Sequence, residues 1–217
     1  MGHRDPSRSA GSDGFTLIEL LAVLLILSIL VIVLLTTFAD VLGTANIEIA
    51  GQQLEQLEGA LNSYQVENGR APSSSFVPGQ EVANDGTNVG IEALVVALWS
   101  NKYEAGGLLN DVRDKLINSD GDRSTKQLTD FATRDLLEIA DPWENPIAYI
   151  EKSDYAVTNR RYLTIDTETG QQVESIPLAF KNPATGQYYA ALGFQLISAG
   201  PDGHFGTEDD ITPFQRE

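Results

Sequence analysis

At 217 residues, with 42% hydrophobic content and a formal net charge of -17, the chain has room for one folded domain behind an apolar arm; two full domains would be cramped. It contains no cysteine, which excludes a disulfide framework and a thiolate metal site. So acidic a surface argues against nucleic-acid binding, which wants a basic footprint, and is compatible with a divalent cation or with solubility alone.

Residues 1–14, with His3, Arg4, Pro6 and Arg8 among small polar residues, read as a short leader. From Leu20 to Ala39 no residue is charged and most are Leu, Ile or Val. About twenty such residues at 1.5 Å rise span roughly 30 Å, the hydrocarbon thickness of a bilayer. After Arg8 no Lys or Arg appears until Arg70, an asymmetry that keeps the N-terminus cytoplasmic and sends the rest across the membrane. Glu19 stands just inside the apolar stretch. A carboxylate there costs on the order of 3 kcal/mol or more on insertion scales, so it needs a partner.

Beyond Ala39 the pattern turns amphipathic. Ile47, Ala50, Leu54, Leu57, Leu61 and Tyr64 recur at three- and four-residue steps, and Glu48, Gln52, Gln53, Glu55, Gln56 and Glu58 lie between them. The pattern predicts a helix with one apolar stripe and a solvated face, ending near Asn68 with Gly69 as its cap and Pro72 as a stop. One helix from Phe15 to Asn68 would be about 80 Å long, and its stripe needs a partner. Residues 71–90 read as a loop, and 90–99 as a second helix. A short helix is expected at Thr133 to Ile139, and a turn at Asp141-Pro142-Trp143-Glu144-Asn145-Pro146. Strands are expected at Ile147–Ile150, Tyr162–Ile165, Tyr188–Ala191 and Phe194–Ser198. The fold class is therefore α+β: a long N-terminal helix packed on a small antiparallel sheet.

Gly14-Phe15, with Glu19 four residues beyond, resembles the processing site of type IV prepilins and type II secretion pseudopilins. The rest, in order, resembles the type II major pseudopilins. The marks are Glu58 to Tyr64 with Asn68-Gly69 and Pro72, Gly90-Ile91-Glu92-Ala93-Leu94-Val95, Asp141-Pro142-Trp143 with Asn145-Pro146, and Leu196 to Gly203 with Asp209-Asp210-Ile211. Thr36, in place of a helix-kinking proline, and Glu144, in place of a turn glycine, depart from the family, as do long segments at 100–140 and 151–190.

The resemblance implies a pilin-like fold with a leader at 1–14, a transmembrane and assembly helix at 15–39, and a periplasmic head at 40–217. It implies cleavage by a prepilin peptidase between Gly14 and Phe15, methylation of Phe15, and pairing of Glu19 with a neighbour's N-terminal amine. It also implies calcium in the C-terminal loop, held by Asp202, Asp209 and Asp210 with carbonyls near Leu196 and Ser198. Hard oxygen donors of that kind suit the ion. The expected function is a structural subunit of a secretion pseudopilus. Its partners would be further copies in a filament, other pseudopilins, the inner-membrane assembly platform and the membrane itself, with no nucleic acid. The alternatives are a type IV pilin-like subunit for adhesion, motility or DNA uptake, or a membrane-anchored calcium-binding domain that never assembles. Asn118-Ser119-Asp120-Gly121-Asp122 half resembles an EF-hand loop, but its glycine comes early and the closing glutamate is missing, so it reads as a turn. Catalysis finds little support: His3 and His204 are the only histidines, and there is no His-Glu-x-x-His and no phosphate-cradling glycine loop.

Overall fold

A computed structural model describes residues 15–77, 82–83, 86–100, 110–191 and 193–214; at 36–41, 83, 110 and 111 it describes the backbone alone. The leader and Gly14 lie outside the described residues. Helix α1 is Leu17–Asn68. The chain divides into two units, Met1–Leu42 and Gly43–Glu217. The boundary expected from sequence lies after residue 39.

In the first unit, Leu17–Leu35 is long and apolar enough to cross a membrane, and its side chains are exposed throughout. Ser28, a polar interruption, donates its hydroxyl to the Leu25 carbonyl at 2.8 Å and so carries no unsatisfied donor into the apolar stretch.

In the second unit, Ala50, Leu54, Leu57, Ala60 and Leu61 of α1 are buried in the core, as the stripe requires. Two positions differ from the helical-wheel expectation. Ile47 is 45% exposed, whereas Gln53, expected on the solvated face, is buried and donates its amide to the Ala140 carbonyl at 2.7 Å. The stripe is thus widened at Gln53 by a polar bond rather than by apolar contact. After α1, Gly69 takes φ 75°, the left-handed conformation of a helix-ending glycine.

Helix α2, Val89–Leu98, lies where it was expected and is buried on almost all sides. It packs against strands β4, Glu138–Ile139, and β5, Ala148–Glu151. A short helix α3 covers Asn110–Arg113. The strands form antiparallel pairs rather than one sheet. β1 (Val82–Ala83) pairs with β3 (Arg123–Ser124), and β2 (Leu116–Ile117) pairs with β4. β5 pairs with β8 (Phe194–Ile197), and β6 (Tyr162–Ile165) with β7 (Gln172–Ser175). The helix expected at 133–139 is replaced by an extended segment ending in β4. Thr133 and Asp135 bind each other at 2.6 and 3.1 Å, local bonds that compete with a helical backbone. The strand expected at 188–191 is reduced to a single bridge between Lys181 and Tyr188, and Ala190 turns the chain with φ 47°.

One junction ties these pieces together. The Tyr149 hydroxyl donates to the Pro72 carbonyl at 2.6 Å, and the Tyr149 amide donates to the Tyr162 hydroxyl oxygen at 3.1 Å. Gly90, at the start of α2, fills the space between them. A Cβ there would lie 2.3 Å from the Tyr149 carbonyl oxygen and 2.5 Å from the Tyr162 hydroxyl. Gly90→Ala is therefore expected to destabilise the protein by about 1–3 kcal/mol or more through overpacking. A thermal melt of the full-length chain in detergent measures this; an unchanged midpoint would show that the junction can yield.

Candidate functional site

The N-terminal site is described from Phe15 onward, and Phe15 is exposed. Thr16 caps α1. Its backbone amide and its hydroxyl both donate to the Glu19 carboxylate at 2.8 Å, and the Glu19 amide donates back to the Thr16 hydroxyl oxygen at 3.3 Å. This is a capping box, Thr-x-x-Glu, in which each side chain satisfies an amide that the first helical turn leaves over. Within a single chain, then, Thr16 is the partner of Glu19. The spacing was legible in the sequence, where the apolar context drew attention to Glu19's charge alone.

The C-terminal site is a loop closed by its own aspartates. Asp209 accepts from the Asp202 amide at 3.0 Å and from the Thr207 hydroxyl. Asp202 accepts from the His204 amide at 2.7 Å, and Asp210, which is buried, accepts from the Gly206 amide at 2.8 Å. Gly200, with φ 65°, admits the Asp209 backbone so closely that a Cβ would fall 2.2 Å from its carbonyl oxygen. Ser198 exchanges both backbone hydrogen bonds with Ile211, at 2.9 and 3.0 Å. Leu196 lies opposite Tyr149 in the β5–β8 register. Lys152 donates to the Gly193 carbonyl at 3.0 Å in that register, so Tyr149–Leu196 is a non-hydrogen-bonded pair. The Leu196 amide and carbonyl therefore point away from β5.

Asp141 joins this loop to the Asp-Pro-Trp turn. It accepts from the amides of Trp143 and Asn145 at 2.9 and 3.0 Å and from the Ser198 hydroxyl at 2.6 Å. Burial pushes its carboxyl up to about 6, against the pull of those three donors.

A third group was not found from the sequence. Glu92 of α2, Asp120 and Glu138 of β4 bring carboxylate oxygens within 4.8 Å of one another. Among the described residues these three acids converge in this way, and Asp202, Asp209 and Asp210 do not. The Asn118–Asp122 segment is a turn, as expected. Asn118 accepts from the Gly121 amide at 2.8 Å and donates to the Asp122 carbonyl at 3.0 Å. Its acidic neighbours come instead from an apolar helix and from a segment read as helical, so neither spacing nor composition signalled them. Glu92 and Glu138 are both 0% exposed. Glu138 accepts from Asn88 at 3.0 Å and from the Ser119 amide at 3.0 Å. Burial, reinforced by the neighbouring acids, pushes Glu92 up to about 11 and Glu138 up to about 8.

These raised values have a direct consequence for stability. Between the ordinary glutamate value of 4.5 and about 8, the folded chain keeps a proton on Glu138 that the unfolded chain has lost. Stability from this group is fully present below 4.5 and is lost as pH rises toward 8, and Glu92, raised further, adds to the loss over the same range. Melting of the full-length chain should thus move to lower temperature from pH 5 to 8, and Glu138→Gln, which stays neutral, should lessen that slope and leave the share of Glu92. A wild-type midpoint that rises over the same range would contradict this.

The prokaryotic N-terminal methylation motif matches residues 10–35. The type II secretion system core protein G of Escherichia coli (strain K12) is 27% identical over 199 residues, which cover 92% of this chain and 88% of the relative. No solved structure matches the chain. The matched motif covers the capped start of α1 and its apolar stretch, and the similarity to the core protein runs on through the head. The chain thus carries a prokaryotic N-terminal methylation motif and, over nearly its full length, is similar to a type II secretion core protein.

Proposed function

We propose that this chain is a structural, non-enzymatic subunit of a type II secretion pseudopilus. A prepilin peptidase cleaves between Gly14 and Phe15, Phe15 is methylated, and the mature chain leaves the inner membrane to polymerise with copies of itself and with other pseudopilins. Before assembly it spans the membrane once, with a cytoplasmic N-terminus held at the secretion platform and a periplasmic head. One observation carries this reading. An exposed apolar helix bears the methylation motif, and the chain is similar over nearly its full length to a secretion core protein.

Glu19 then has two duties. In one chain it caps α1 through Thr16. In a filament, among apolar arms, its charge would face the Phe15 ammonium of a neighbour, since an unpaired buried charge costs several kcal/mol. Glu19→Gln separates the two, because glutamine also serves in a capping box but carries no charge. We expect Glu19→Gln and Glu19→Ala alike to leave membrane insertion intact and to reduce filament incorporation, with mature wild-type chain beginning at Phe15 by mass spectrometry. Normal incorporation of the glutamine variant would assign Glu19 to capping alone; mature chain retaining Met1 or Gly2 would remove the processing step.

The same reading brings calcium to the C-terminal loop, with Asp202, Asp209 and Asp210 as anionic ligands and the Leu196 and Ser198 carbonyls as neutral ones. The donor set fits a hard cation. It consists of carboxylates and carbonyls, and each aspartate keeps acceptor capacity beyond the amide bond it receives. The tight approach of the Asp209 backbone to Gly200 brings the two ends of the loop together. A bound ion would add fixed positive charge to a chain of net charge -17. Calcium at a hundredfold its dissociation constant should add about 2.7 kcal/mol to stability. Asp209→Ala and Asp210→Ala should each shrink the calcium-dependent shift in melting, and magnesium should substitute poorly because of its stricter octahedral demand. Identical melts with calcium and with chelator would remove the ion from the reading and leave the filament role standing.

A further inference from the structure

The segment 151–190, longer than the resemblance requires, contains the β6–β7 hairpin, and the C-terminal loop is seated on this hairpin. At its tip the Thr167 hydroxyl donates to the Pro201 carbonyl at 2.6 Å and the Thr167 amide donates to the Asp202 carbonyl at 3.3 Å. Asp166 faces the His204 ring nitrogen at 3.1 Å, and the Phe205 amide donates to the Ser175 hydroxyl oxygen at 2.8 Å. The rings of Tyr162 and Phe205 meet edge-on at 5.6 Å. Gly203, with φ 77°, lies so close to the hairpin that a Cβ would be 2.0 Å from the Ile165 carbonyl oxygen. The tip is itself held in shape: Asp166 accepts from the Thr169 amide at 2.8 Å, and the Gly170 amide closes on the Asp166 carbonyl at 2.7 Å.

This contact satisfies part of the loop's backbone. The Phe205 amide is held by Ser175 and the carbonyls of Pro201 and Asp202 by Thr167, whereas the amides of Asp202, His204 and Gly206 are held by the loop's own aspartates. Protein groups on the hairpin and in the loop thus supply bonds that close the loop without drawing on an ion. We propose that the β6–β7 hairpin is a brace that holds the C-terminal loop closed without a bound ion, with Thr167 as its positioning residue. The loop's role as a calcium site rests on the reading above; its closure by the hairpin does not. Calcium would then find a formed loop and strengthen it.

The test is hydrogen exchange of the full-length chain in detergent, read by mass spectrometry on peptides from 199–211, in chelator and in calcium. In chelator the wild-type loop is expected to be protected. Thr167→Val keeps the shape and the amide but loses the hydroxyl donor, and should speed loop exchange by about three- to tenfold, the scale of one neutral hydrogen bond. Thr167→Ser should restore protection. Replacing residues 167–170 with Asn-Gly, which leaves the hydrogen-bonded Asp166–Gln171 pair to close a two-residue turn, should release the loop while peptides from β5 stay protected. A wild-type loop that exchanges freely in chelator, or a loop indifferent to both Thr167→Val and the tip replacement, overturns the brace. Calcium is judged separately. If it restores protection to the tip-replaced loop, the calcium reading stands; if it changes exchange in no chain, that reading fails and the chelator comparison still decides the brace.

Discussion

The head depends on a close approach at one backbone position. Gly90 lets the first turn of α2 meet the backbone of β5 and the hydroxyl of Tyr162 at distances no side chain would permit. Once there, two tyrosines act as struts. Tyr149 reaches the carbonyl of Pro72, fixing the chain as it leaves α1, and Tyr162 accepts the one β5 amide in the Tyr149–Leu196 pair that the β5–β8 ladder leaves over. Both phenols are buried, and burying a hydroxyl without a partner would cost free energy; here each is spent on a backbone group that would otherwise lack one. The strand pairs are short, and each alone would be marginal. Their stability comes from this shared packing around α2 and the Ala50–Leu61 face.

The chain's many acids do different work in different surroundings. In the exposed first turn of α1, Glu19 caps the Thr16 amide. In the turn at 141–145, Asp141 gathers two amides and the hydroxyl of Ser198, so that turn and β8 are joined by one buried carboxyl. In the C-terminal loop, three aspartates each hold an amide of their own loop. Burial raises Glu92 and Glu138, as it raises Asp141, and the neighbouring Asp120 raises the two glutamates further. For these three buried carboxyls the balance is physical: burial favours the neutral form, the donors converging on Asp141 and Glu138 pull against it, and the acids around Glu92 push further the same way.

Much of this was legible in the sequence where a local pattern dominates. The α1 stripe, the Gly69 terminus, α2, and the strands at 148–151, 162–165 and 194–197 follow from periodicity and from glycine and proline. Glu144 was noted in the sequence only as a departure from the turn glycine of the resemblance; its φ of 65° is the left-handed conformation that glycine adopts without strain. What failed depended on long-range pairing. In 133–139 the extended form that the Thr133–Asp135 bonds favour is completed by pairing with β2, and the convergence of Glu92, Asp120 and Glu138 exists only once α2 and β4 are packed together. Gln53 was misplaced for the same reason, because its buried bond partner is 87 residues away.

The hairpin explains how a head can carry an extra segment without a larger core. β6 shares its buried face with the existing interior through Tyr162 and Thr164, whereas the tip carries Thr167 and Asp166 onto the C-terminal loop. The addition thus covers carbonyls and an imidazole as well as the ring of Phe205. For a chain of net charge -17 this matters, because a loop rich in carboxylates repels itself and tends to open. Donors aimed at consecutive carbonyls, and amides aimed at each aspartate, oppose that tendency from within the loop and from the hairpin tip.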